Sequence, residues 1–281
     1  METVDPAHSK NPTSPLRRRP KPWHRSVIER ISSGFGSWHN TSQYERAGAQ
    51  AQHDIVFLLD VDNTLLDNDR IEADLKNYLV TKFGAENRDR YWALLEGLRV
   101  ELGYADYLGA LQIYRRDDLN DPNLMLMSSF LVDYPFSKRL YPRALDAVKH
   151  LRRLGLTVIL SDGDVVFQPR KIQHSRLWDA VDGRVLVYIH KEKMLDAIMQ
   201  RYPARHYVMV DDKLSILTAM KCNLGARLTT VYPRQGHYAL DPTNLAAYPA
   251  PDVSIDNIGD LIQLDLPALL GAAVSTQMPP T

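Results

Sequence analysis

Short, unbroken apolar runs alternate with segments of helical period along most of this chain, and that alternation most narrows what it can fold into. The first run is Ile55-Val56-Phe57-Leu58-Leu59, ending in Asp60. Four more lie at 157–160, 184–189, 207–210 and 228–232, with a weaker sixth at 253–255. Runs of this length without polar interruption suit strands buried on both faces of a parallel sheet. Helical patterns separate them. The clearest spans 142–154, with Leu145, Val148 and Leu151 on one face, Pro142 at its start and Gly155 just past its end. Strand and helix in alternation predict an α/β fold, a doubly wound parallel sheet.

One stretch departs from the alternation. From residue 67 to 140 only helical periodicity is found: Ile71, Leu75, Tyr78 and Leu79 fall on one face, and Tyr107, Leu108, Leu111 and Tyr114 on another. Further helices are predicted over 91–100 and 124–131. The expected organisation is therefore a core from 53–66 and 141–265, with an inserted α-helical cap domain over 67–140. Residues 1–52 are rich in Pro, Ser, Arg and Lys and lack an apolar period, so a disordered basic tail is expected there, and a flexible C-terminal tail over 266–281. Arg17-Arg18-Arg19 with Pro20-Lys21-Pro22 could attract an acidic partner, but no apolar stretch of a secretory signal follows.

Composition removes several function classes. Lys plus Arg and Asp plus Glu both number 34, so no net field favours nucleic acid or an anionic membrane. No apolar run approaches the roughly 18–20 residues of a membrane span. The single cysteine, Cys222, excludes an intrachain disulfide and fits a reducing, cytoplasmic setting; its expected place is a buried position near a helix end. A monomer or homodimer is expected.

Ligands of an open α/β sheet bind beyond the carboxyl ends of its strands. Here the first strand runs into Asp60-Val61-Asp62-Asn63-Thr64 and the second into Ser161-Asp162-Gly163-Asp164. The third is followed by His190-Lys191-Glu192-Lys193, and the fourth ends in Asp211-Asp212. Carboxylates brought together repel unless a hard cation sits among them, and Mg²⁺ prefers such oxygen ligands. A phosphate held there needs donors, which Lys191, the Ser161 hydroxyl and loop amides can give. A carboxylate in line with phosphorus can attack it, and a second carboxyl two residues away can protonate the leaving oxygen.

Asp-x-Asp-x-Thr, then Ser, then Lys, then Asp-Asp, each after an apolar strand, resembles the four signature motifs of the haloacid dehalogenase (HAD) superfamily. The helical insert after the first motif is similar to the cap of its phosphoglycolate phosphatase-like members. The resemblance covers about residues 54–260 and implies a Mg²⁺-dependent phosphatase whose partner is a small phosphorylated substrate. It implies Asp60 as nucleophile and metal ligand, and Asp62 as general acid/base with its backbone carbonyl on the metal. Thr64, Ser161, Asp162 and Lys191 are implied on the phosphate side. Lys193 competes with Lys191, but Lys191-Glu192-Lys193-Met194-Leu195 matches the family's Lys-x-x-apolar-apolar helix start. Asp212 is implied as the direct ligand from the acidic pair, with Asp211 behind it. The Lys-Pro pair common in the third motif is absent, and Lys213 adds a positive charge with no assigned role.

Taken singly, each motif has a plainer explanation. Asp60 and Asp62 could cap a turn, Ser161-Asp162-Gly163 is good turn chemistry, and Asp211-Asp212 could simply begin a helix. His190 is expected to be an ordinary loop histidine. Trp92, Tyr104, Tyr107 and Tyr114 are expected mostly in the core, and Arg99, Arg115 and Arg116 on a solvated face. A phosphosugar mutase would keep every catalytic residue. A binding or regulatory module would have no need of the full acid set. Asp62 favours phosphate chemistry over carbon–halogen cleavage, which has no leaving oxygen to protonate.

Overall fold

The structure is a computed structural model that describes residues 52–116, 123–266 and 268–269. The expected tail at 1–52, but for residue 52 itself, and most of the expected C-terminal tail lie outside the described residues. Strand β1 (His53–Leu59) is followed by α1 (Asn68–Phe83), α2 (Ala85–Leu102), α3 (Tyr107–Tyr114) and α4 (Asn123–Val132) before the chain returns to the sheet. Then come α5 (Ala144–Leu154), β2 (Leu156–Asp162), α6 (Phe167–His174), α7 (Leu177–Ala180), β3 (Val185–Tyr188), α8 (Leu195–Arg201) and β4 (Ala204–Val210). Helix α9 (Leu214–Leu224), β5 (Leu228–Pro233), α10 (Gly236–Leu240), α11 (Pro242–Ala247) and β6 (Val253–Ile255) complete the order.

All six strands are parallel, in the order β3-β2-β1-β4-β5-β6. Alternate residues of β1 serve opposite faces, which explains its unbroken apolar run. Phe57 and Leu59 pack with Ile159, Val208 and the α5 stripe Ala144, Ala147, Val148 and Leu151. Val56 and Leu58 pack with Val158, Leu160, Met209 and the inward faces of α8 and α9. Each fully buried side chain of this size is worth roughly 1.5–3 kcal/mol, so no position from Val56 to Leu59 could be polar cheaply before Asp60, where the strand ends.

The insert joins the core through a narrow neck. Leu66 bridges Leu140 in antiparallel fashion, and Tyr141 N–H donates to Leu65 O at 3.0 Å. Inside it, Ile71, Leu75 and Leu79 of α1 are buried, and Tyr78 stacks on Phe130 of α4 with ring centroids 4.2 Å apart. Aromatic rings carry the contact back to the core: Tyr107 and Phe136 lie 5.1 and 5.9 Å from Phe167 of α6.

Two expectations are corrected. Helix α5 begins at Ala144 and not at Pro142, because Arg143 adopts a left-handed conformation (φ 63°) that no helix can include. Cys222 is exposed. The buried stripe of α9 runs through Leu217 and Met220, and a residue two positions past Met220 falls about 200° away, on the outer face. Among the described residues no helix is long and apolar enough to cross a membrane.

Candidate active site

Backbone geometry of the first loop fixes the site. After Asp60 the chain turns so that the N–H groups of Leu65 and Leu66 both reach Val61 O at 2.9 Å. Asn63 takes the left-handed conformation (φ 58°), which Asn tolerates better than most residues. Its side-chain oxygen then accepts from the N–H groups of Asn68 and Asp69 at 3.0 and 3.2 Å, seating the start of α1. Gly236 presses on this loop: a Cβ there would lie 2.5 Å from Asn63 Cβ, so only glycine allows the approach.

Asp60, Asp211 and Asp212 come together at the strand ends, all buried, with ligating oxygens mutually within 4.8 Å. Lys191 is buried between them. It donates to Asp60 Oδ1 and to Leu160 O at 3.2 Å, and its ammonium forms an ion pair with Asp211 Oδ2 at 2.7 Å. Lys193, the competing lysine, is exposed. Asp162 Oδ1 accepts the Lys191 backbone N–H at 2.8 Å and so holds this loop over β2.

The acidic pair divides in two. Asp211 Oδ1 accepts the Lys213 N–H at 2.8 Å, and its other oxygen faces Lys191. Both carboxylate oxygens of Asp212 are buried without a hydrogen-bond partner. Such a group costs several kcal/mol if ionised and uncompensated. The donor set, hard oxygens from three carboxylates, is that of a magnesium or similar site, and Asp212 is the residue with ligand atoms to spare. Burial pushes the Asp60 carboxyl up to about 7 against the pull of Lys191, with Asp211 and Asp62 adding to the rise. Burial and the neighbouring Asp211 and Asp60 charges hold Asp212 well above the usual carboxylate range.

A cavity of about 130 Å³ opens beside this cluster, lined among others by Asp62, Asn63, Asp162 and Asp212 of the core and by Glu72, Arg99 and Tyr104 of the insert. Three expected phosphate-binding residues, Thr64, Ser161 and Lys191, are set back from it. Thr64 is fully buried, and its hydroxyl accepts the Asp212 N–H at 3.1 Å, tying the first loop to the fourth. The Ser161 hydroxyl is buried beneath Gln168, whose Nε2 donates to it at 2.9 Å and to Asp62 Oδ2 at 3.2 Å. His190 packs its ring on Gly103 of the insert, where a Cβ would lie 2.7 Å from the imidazole. Tyr107 and Tyr114 are buried as expected, while Tyr104 and Arg99, with Tyr107, line the cavity.

Sequence reasoning missed Lys171. It is buried and lies 2.8 Å from Asp62 Oδ1, with Asn68 Oδ1 at 3.0 Å. Asp164 Oδ1 accepts from Val166 and Phe167 at 2.8 and 2.7 Å and starts α6, so Gln168 and Lys171, three residues apart, share one face. Two polar residues at inward positions next to the Ser161 loop were the available signal. His237 and Tyr238, after β5, were missed as well. His237 donates its N–H to Asp69 Oδ2 at 2.8 Å, and its Nδ1 lies 2.6 Å from Asp69 Oδ1.

This arrangement agrees with what the chain is similar to. A family model of haloacid dehalogenase-like hydrolases matches residues 56–222, more than half of the chain. The protein belongs to the haloacid dehalogenase-like hydrolase family. The chain shares 64% identity with such a hydrolase from Burkholderia xenovorans LB400, over 77% of this chain and 99% of that one, at a TM-score of 0.73. A haloacid dehalogenase-like hydrolase from Xanthomonas campestris shares the fold at 16% identity, covering 82% and 98% of the two chains (TM-score 0.56). So does an L-2-haloacid dehalogenase of Xanthobacter autotrophicus with chloropropionic acid covalently bound, at 19% identity, 74% and 97% coverage and TM-score 0.50. No curated protein matches the chain.

Proposed function

We propose that this hydrolase is a Mg²⁺-dependent phosphatase that cleaves a small phosphorylated metabolite through an aspartyl-phosphate on Asp60. The observation that carries the reading is the buried Asp60–Asp211–Asp212 cluster with both Asp212 oxygens unpartnered, a set that calls for a hard divalent cation. Asp60 and Asp212 would hold the ion, with the Asp62 backbone carbonyl and with Asp211 behind. Bound there, Mg²⁺ offsets charge on the phosphoryl oxygens.

The protein groups divide the chemistry. Asp60 attacks phosphorus as the bond to the leaving oxygen breaks, and Asp62 gives that oxygen its proton. Water then attacks the phosphorus of the aspartyl-phosphate while Asp62 takes a proton from it, releasing inorganic phosphate and the free Asp60 carboxylate. Lys191 offsets charge on nucleophile and phosphoryl group throughout. The loop amides orient the phosphoryl oxygens, and the Ser161 hydroxyl, which accepts from Gln168, stands behind them. The helical insert serves as a cap, contributing Arg99 and Tyr104 to the cavity wall. A cavity of about 130 Å³ suits a small metabolite.

The test is hydrolysis of 4-nitrophenyl phosphate with Mg²⁺ and with a chelator, beside halide release from 2-chloropropionate. Phosphate release that stops on chelation is expected, with no halide. Halide release without phosphate hydrolysis would sink the phosphatase reading, and full turnover without divalent metal would sink the metal assignment.

A further inference from the structure

The cations lining the cavity are not equivalent. Arg99 Nη2 lies 3.0 Å from Glu72 Oε1, Lys171 Nζ lies 2.8 Å from Asp62, and His237 Nδ1 lies 2.6 Å from Asp69. Lys213 alone among them forms no ion pair with any described residue. The adjacent acids do not take its ammonium. Asp211 Oδ1 accepts the Lys213 backbone N–H and its Oδ2 is ion-paired with Lys191, while neither that oxygen nor those of Asp212 take a hydrogen bond. The ammonium instead lies over the Tyr238 ring, 4.9 Å from its centroid. A ring face attracts the charge but accepts no conventional hydrogen bond from it, so the donors of Lys213 remain available to a ligand.

Position adds a second observation. Lys213, Asp212 and Tyr238 line both the cavity beside the acidic cluster and a neighbouring one of about 180 Å³, whose remaining wall includes Ser215, Asn244 and Tyr248. Lys213 and Tyr238 thus form a bridge between the reacting centre and a compartment whose remaining wall is uncharged, mixing Ser215 and Asn244 with Leu214 and Tyr248.

We propose that Lys213, held on Tyr238, is a specificity-determining residue that binds a second anionic group of the substrate, a carboxylate or another phosphate, beside the one that reacts. This rests on the phosphatase reading and names its substrate class: small phosphate esters bearing a further anionic oxygen group. A charge-assisted contact to a desolvated ammonium is worth about tenfold or more in affinity.

The experiment is calorimetric binding to full-length Asp60→Asn protein with Mg²⁺, which does not depend on turnover. Two matched pairs separate the sources of the anion: 3-phosphoglycerate against glycerol 3-phosphate for a carboxylate, and fructose 1,6-bisphosphate against fructose 6-phosphate for a phosphate. Within at least one pair the second anion should tighten binding about tenfold or more. Adding Lys213→Met should shrink that gap to under about threefold, and Lys213→Arg should restore it. Tyr238→Leu, which removes the supporting ring, should narrow it. Equal binding within both pairs, or a gap that survives Lys213→Met, overturns the proposal. If the gap appears as expected while wild-type protein hydrolyses no phosphate ester, the subsite stands and the phosphatase reading falls.

Discussion

Lys171 is 1% exposed and its ammonium lies 2.8 Å from Asp62 Oδ1, while the Asp62 side chain stays one-third open to the cavity. The two partners therefore differ in what they leave behind when the other is removed. Asp62→Ala strands a buried ammonium with only Asn68 and should cost about 3 kcal/mol, the low end for an orphaned buried charge. Lys171→Met leaves a carboxylate that water can reach, and should cost under about 1 kcal/mol. Urea unfolding of both variants, with unchanged m-values, decides this. Equal losses would mean that the exposure of Asp62 does not relieve it.

The raised carboxyls set a pH dependence for the metal-free protein. A group whose folded pKa lies above its unfolded value contributes stability in full below the unfolded pKa, and that contribution is lost as pH rises through the folded one. Asp60 rises from the ordinary 3.8 to about 7 because burial outweighs Lys191, and Asp212 rises in the same direction. With a chelator present, the melting temperature should fall between about pH 4.5 and 7. Mg²⁺ should flatten the fall, and Asp212→Asn should make it shallower. A melting temperature that climbs across this window in chelator would contradict the burial of these acids.

Much of this was legible in the sequence, for a physical reason. A strand buried on two faces admits few polar residues, so β1 announces itself from Val56 to Leu59 and marks Asp60 as the first residue past the sheet. The same holds for Asp211 after β4. Lys191 was separable from Lys193 only by a family-like helix start, and the structure places the first beside Asp60 and the second in solvent. Lys171 and His237 were not legible. Their partners, Asp62 and Asp69, lie 109 and 168 residues away in the chain, and no local period records a contact at that range. The positive φ at Arg143 was equally hidden, since Pro142 reads locally as a helix start.

The two first-motif aspartates carry the sharpest test. Asp60→Asn should abolish turnover and any covalent phosphoryl-enzyme, because an amide oxygen is a poor nucleophile and a weaker ligand. Asp62→Asn keeps the nucleophile and, through its amide oxygen, an acceptor for Lys171, but has no proton to give. Its loss in rate should be about 10²–10⁴, smallest for aryl phosphates, whose leaving oxygen scarcely needs protonation. The same variant should slow hydrolysis of the aspartyl-phosphate, since the Asp62 carboxyl also activates water. Rapid quench of Asp62→Asn with a labelled aryl phosphate should therefore trap label on Asp60. Label on Asp62 or Asp212 in the wild-type protein, or normal turnover by Asp60→Asn, would show that the buried carboxyl beside Lys191 is not the nucleophile.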